Sequence, residues 1–219
     1  MSWEPDYITQ DEFKAFARIS DDLDNIHIDR AITSGSRSID KYASCRKNGL
    51  GFRRQFGLCA APEPHFYTAR WDAQQAKYVV EIDDLMTEIG LVVEFDMDND
   101  DTYETTCTDF VLRPRDAVSR ALPYTQIAIN NTSAVQPSTS FVDNVKITAR
   151  WGWTTVPVAI QQATLLQSHR IFKRRQSPLG VQGSNSAGSG SSETMVENDL
   201  DPDAMRLVDT RYRRLARTP

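Results

Sequence analysis

The chain has 219 residues, 40% of them apolar and 25% charged, proportions of a packed globular protein and not of a disordered or fibrous one. A formal net charge of −5 provides no global cationic field, which excludes nucleic-acid binding through bulk electrostatics. The cysteines Cys45, Cys59 and Cys107 form no C-x-x-C pair and no apolar run reaches the ~18 residues of a membrane span, so disulfide scaffolds, zinc sites and transmembrane classes fall away too.

The opening "MSWEPDYITQDEF" is acidic and aromatic, where a signal peptide would be basic and then apolar, so the chain is expected to stay inside a cell or inside something assembled there. Thr9 followed by Glu12 forms a capping box, and Ile8 with Phe13 forms a hydrophobic staple around it. Phe13, Phe16 and Ala17 then give the stripe of a first helix. Asp22 or Asp24 caps a second, longer helix, whose apolar side is Ile28, Ile32, Ile39, Tyr42 and Ala43. Gly35 inside it costs about 1 kcal/mol relative to Ala, a cost that either a close helix–helix approach justifies or the helix simply tolerates.

From about Tyr67 to Trp153 the pattern changes to strand. "KYVVEI" and "GLVVEF" are short β-branched runs, and "QIAIN" and "SFVDNVKITARW" alternate with the two-residue period of half-buried strands. Turn-like "DMDNDDTYE" and "RPRDAVSRALP" separate them, and the region reads mostly as hairpins. A third helix follows, with Thr154 or Thr155 as cap and Pro157 in the first turn. Its stripe is Ile160, Ala163, Leu166 and Phe172, and Lys173, Arg174 and Arg175 complement the C-terminal end of the helix dipole. After Pro178 comes the Gly/Ser tract "GVQGSNSAGSGSSE", a tether with almost nothing to bury. Beyond it, Asp201 caps a last short helix that starts at Pro202, with Met205, Val208, Tyr212 and Leu215 as its apolar side. Such a helix has too little surface to fold alone and needs something to dock on.

The expected fold class is therefore α+β: a small α-helical bundle, a β-rich hairpin insertion and an extended C-terminal arm ending in a short helix. The regions are 1–66 (first bundle helices), 67–153 (insertion), 154–176 (long helix) and 177–219 (tether and docking helix).

Catalytic patterns are weak. Asp96, Asp98 and Asp100 begin like a calcium-binding loop, but Asp101 stands where that loop needs Gly and Cys107 where it needs Glu. His27, His65 and His169 have no metal-ligand spacing, and no G-x-S-x-G elbow or P-loop lysine occurs. Asp83 and Asp84 are adjacent in a strand and point to opposite faces. No enzyme activity, metal or cofactor is expected. Basic residues gather at Arg170, Lys173, Arg174 and Arg175 and again at Arg206, Arg211, Arg213, Arg214 and Arg217, while acidic ones gather between Glu81 and Glu104. These are either helix-end charges and a solvated tail, or surfaces for an acidic protein, for the DNA backbone, or for head-to-tail contact between copies.

Three stretches carry a family resemblance: "WEPDYITQDEFKAF" with "AITSGSRSID", then "ITARWGWTTVPVAIQQATLLQSHRIFKRRQSPLGV", then "LDPDAMRLVDTRYRR". Together they resemble the head–tail adaptor (connector) proteins of long-tailed bacteriophages, in which a strand ends in W-G-x, a turn leads to V-P, and a long helix ends in basic residues. The resemblance implies a virion protein of which about twelve copies form a ring between the portal and the stopper or tail-completion protein. Double-stranded DNA passes through the ring without sequence-specific binding. It further implies portal docking by Met205, Leu207, Val208, Arg211, Tyr212, Arg213, Arg214 and Leu215. Subunit contacts would come from Arg170, Lys173, Arg174 and Arg175 against Asp96, Asp98, Asp100 and Asp101, with Trp151 and Trp153 either core or interface. The rival readings are another neck protein, such as a stopper, and a non-viral binding module acting through its C-terminal helix.

Overall fold

The computed structural model describes residues 5–47, 50–52, 54–175, 200–209 and 212. The class is α+β, and the chain divides into a helical unit, Asp6–Ser44 with Val156 onward, and a β-rich unit, Cys45–Thr155. The helices thus end some twenty residues earlier than the expected boundary at residue 66.

In the helical unit, α1 (Gln10–Ala17) starts at the capping box: the Thr9 side chain accepts from the Glu12 N–H, and the Glu12 carboxylate accepts from the Thr9 N–H at 2.7 Å. The staple residues Ile8 and Phe13 are both buried, in one cluster with Ile28, Ala31, Ile32 and Phe172. α2 (Asn25–Ala43) follows Asp24, whose carboxylate makes no capping bond and is held instead by Arg175, through two bonds of 2.6 and 2.7 Å. Asp22 pairs with Lys14.

α3 (Val158–Arg174) starts one residue after Pro157, whose carbonyl accepts from Ile160 and Gln161; neither Thr154 nor Thr155 is its cap. Its buried side is Ile160, Ala163, Thr164, Gln167, Ser168 and Phe172, whereas Leu166 is only half-buried. The stripe is rotated from the one expected because α2 packs over small residues. A Cβ built on Gly35 would collide with Ser168 Oγ and lie 3.2 Å from the Ser168 backbone nitrogen. The glycine marks the close helix–helix approach.

In the β-rich unit, a hairpin of β1 (Cys45–Lys47) and β2 (Leu50–Phe52) precedes two four-stranded antiparallel sheets. These contain β3 (Glu63–Tyr67), β4 (Arg70–Asp72), β5 (Lys77–Leu85), β6 (Val92–Phe95), β7 (Thr105–Cys107), β8 (Phe110–Arg113), β9 (Tyr124–Asn130) and β10 (Val145–Ala149). One sheet has the order β3-β10-β6-β7 and the other β4-β5-β9-β8. Val80, Ile82, Ile127 and Ile129 of one sheet share a core with Val93, Phe95, Val145 and Ile147 of the other, so the two form a sandwich.

The neighbouring runs "KYVVEI" and "GLVVEF" do not pair with each other. β5 pairs with β9 and β6 with β10, because the chain crosses between sheets after Leu85. The period-2 pattern of β10 holds, with Val145, Ile147 and Ala149 buried and Lys146 and Thr148 half-exposed.

Candidate functional site

The W-G-W corner is built as core. Trp151 is 1% exposed and Trp153 3%, so neither is available to a neighbouring copy, and the interface role is corrected for both. Trp151 stacks on His65 at 4.6 Å and donates from Nε1 to the Glu63 carbonyl at 2.8 Å. Trp153 Nε1 donates to Asp84 Oδ2 at 3.0 Å, and that carboxylate also receives Arg54 Nη1 at 2.8 and 2.9 Å. Between the two tryptophans Gly152 has φ 101°, a Cβ there would strike the Gly57 carbonyl, and its N–H donates to the Asp84 carbonyl at 2.8 Å. The corner is thus fixed by a buried ion pair and by backbone that only glycine can supply. The sequence offers Asp84 only as a neighbour of Asp83 and gives no sign of Arg54 as its partner, because the two lie thirty positions apart.

Asp83, beside Asp84, takes separate partners: His65 Nδ1 at 3.0 Å and the Tyr67 hydroxyl at 3.1 Å.

The acidic loop is only partly a surface. Asp96 is 3% exposed, and its carboxylate accepts the N–H groups of Asp98, Asn99 and Asp101 at 3.2, 2.6 and 2.9 Å. Desolvation pushes its pKa up, but the surrounding backbone N–H groups together outweigh it and hold the carboxyl below its ordinary range. Asp96 therefore organises the loop, a correction to its place in a contact surface. Asp98, Asp100 and Asp101 are exposed. The carboxylates of Asp96, Asp98 and Asp100 lie within 4.8 Å of one another, and repulsion from Asp100 raises Asp98. Such crowding is common in solvated acidic loops.

The expected cationic face belongs to the helical unit. Lys173 is exposed and Arg174 half-buried, Arg170 lies 4.0 Å from Asp201, and Arg175 is spent on Asp24, which it holds below the usual carboxylate range through its hydrogen bonds. Arg170 and Arg175 thus face partners in their own unit.

The final helix, α4 (Pro202–Asp209), starts as the sequence implies. Asp201 caps it by accepting the Asp203 N–H at 3.0 Å, and Pro202 is its first residue. It is seated against α3 and α2 of its own helical unit. Ala204 and Val208 are fully buried, Leu200 nearly so, and Met205 and Leu207 half-buried. Polar ties mark both ends: the Asp201 N–H donates to Gln167 Oε1 at 2.9 Å, and the Tyr42 hydroxyl reaches the Asp209 carboxylate at 2.9 Å. Val208 is therefore a seating residue within the unit and not a free docking residue, a correction with a simple cause: its own α2–α3 pair offers the apolar surface the helix requires. Tyr212 is half-buried, while Arg211, Arg213, Arg214 and Leu215 lie outside the described residues.

No protein-family model matches the chain, and a search of curated proteins finds no match. No helix among the described residues is long and apolar enough to cross a membrane.

Proposed function

We propose that this chain is a structural assembly protein, a head–tail adaptor that forms a ring between a phage portal and the stopper or tail and continues the DNA channel. The observation that carries this reading is the organisation around α4. A short amphipathic helix at the end of a Gly/Ser tether is seated on the α2–α3 pair of a helical unit whose two parts are separated in sequence by a β-sandwich. Such a helix is a detachable connector, and its seat is a surface adapted to receive one. The W-G-W corner, the V-P turn and the basic end of α3 support the same reading through their resemblance to adaptors. In this role the protein works by contact and has no catalytic centre, its partners being its own copies, the portal and the stopper, within the virion.

The test is mixing the full chain with its phage's portal, followed by negative-stain imaging beside a chain truncated after Ser177. Rings stacked on the portal, weakened by truncation, support the reading. A monodisperse monomer that ignores the portal refutes it. That outcome would favour a binding module that uses α4 or its seat for another protein, a reading that the cis seating of α4 also supports.

A further inference from the structure

We infer that α4 is an exchangeable strap: in the assembled ring it leaves the seat on its own copy and docks on the α2–α3 seat of a neighbouring copy. The inference rests on the ring reading above and goes beyond it by naming the occupant of the seat.

The geometry of the seat shows how little chain is needed to fill it in cis. The Asp201 N–H bonds to Gln167, which precedes Arg175 by eight positions (175 − 167). Eight helical residues measure about 12 Å, and stepping to an adjacent helix axis adds about 8–10 Å. The return path is therefore roughly 20 Å, which about six extended residues cover. Between Arg175 and Leu200 the chain has 24 residues, 176–199, among them four glycines and six serines. Their maximum reach is roughly 80 Å, about four times what the cis seat requires and enough to pass the width of a domain.

Excess length also weakens the closed form. Effective concentration falls roughly as the −3/2 power of tether length, so going from about six to 24 residues lowers the cis advantage about eightfold. The strap itself is light. Its fully buried side chains are only Ala204 and Val208, and an eight-residue helix has little stability off its seat.

Exchange conserves every contact. The seat of a second copy offers the same Gln167 Oε1 and Tyr42 hydroxyl, and receives the same Ala204 and Val208. Only the connectivity changes, as in domain swapping. A monomer closes on itself. In a ring, where neighbouring seats crowd together, the long tether lets each copy hold the next.

The experiment uses the full chain with a photo-crosslinking residue introduced at position 207, prepared separately with light and heavy nitrogen and mixed before ring formation on the portal. Cross-links between α4 and α2 or α3 that join the two isotopes, in rings and not in the monomer, are the expected result. Rings whose cross-links stay within one isotope overturn the exchange and leave the ring reading intact. If no ring forms, the ring reading falls and the exchange falls with it. A second variant guards against a disturbed seat. Deleting residues 180–195 leaves eight tether residues (24 − 16), about 28 Å of reach, enough for the cis path. This variant is expected to hold α4 on its own seat more firmly than the full chain, with a higher unfolding midpoint, yet form rings at least tenfold less readily. Undiminished ring formation would overturn the exchange.

Discussion

At the contact of Gly35 with Ser168 two small effects oppose each other and can be separated. Ser168 Oγ is buried and has no hydrogen-bond partner among the described residues, so Ser168→Ala removes an unpaired hydroxyl that costs ~1–3 kcal/mol. That substitution alone is expected to stabilise the helical unit by about 1–2 kcal/mol, helped by the better helix propensity of alanine. Gly35→Ala gains about 1 kcal/mol of propensity but must push aside Ser168 Oγ and crowd the Ser168 Cβ and backbone nitrogen, both 3.2 Å away. Overpacking of this kind costs ~1–3 kcal/mol, so the net result is a loss of up to about 2 kcal/mol. With Ser168→Ala already in place the worst collision is gone, and the pair should couple favourably by about 1 kcal/mol. The assay is urea unfolding followed by far-UV ellipticity for the helices. Tryptophan fluorescence follows mainly the other unit, since Trp71, Trp151 and Trp153, three of the four tryptophans, lie there, and Trp3→Phe removes the fourth, which lies outside the described residues. A Gly35→Ala chain that gains its full propensity, with no coupling to Ser168→Ala, would refute the close approach.

Asp84→Asn should cost the β-rich unit up to about 3–5 kcal/mol, since it takes from the buried Arg54 guanidinium the carboxylate charge it meets at 2.8 Å; the fluorescence-detected urea midpoint measures it, and an unchanged midpoint would contradict the network. Thr9→Ala should lower the stability of the helical unit by about 1 kcal/mol, read from ellipticity, while Thr9→Ser retains most of it. His169, packed edge-on to Phe16 and near Phe13, has its pKa lowered below 6.5, by desolvation first and by Lys173 second. The unfolded chain therefore binds the proton more readily, so this contribution is fully present above 6.5 and is lost as pH falls below it. His169→Gln should flatten the dependence of the ellipticity midpoint as pH falls below 6.5, and a slope unchanged by the substitution would place its origin elsewhere.

Interactions that span up to about five residues are readable from the sequence. The Thr9–Glu12 box, the Ile8–Phe13 staple, the Asp201–Pro202 start of α4 and the alternation of β10 all form between chain neighbours, so the residue types alone specify them. Where local signals competed, the sequence left alternatives and the tertiary contacts chose. Asp24 had the chemistry of a cap, but Arg175, 151 positions away, claimed its carboxylate. Pro157 set the start of α3 in place of either threonine, because its carbonyl receives the first helical N–H groups.

Long-range packing decided the rest. Strand runs were visible, but two antiparallel ladders can be drawn through them in many ways, and only burial of a shared core pairs β5 with β9 and β6 with β10. The two tryptophans of the corner could equally have faced a partner until the Arg54–Asp84 pair and the Glu63 carbonyl claimed their indole N–H groups and surroundings. The amphipathic end of the chain announced a need for a partner by its composition alone. That the partner surface is present on its own α2 and α3 depends on side chains brought together from positions 42, 167 and 208, which no local pattern links.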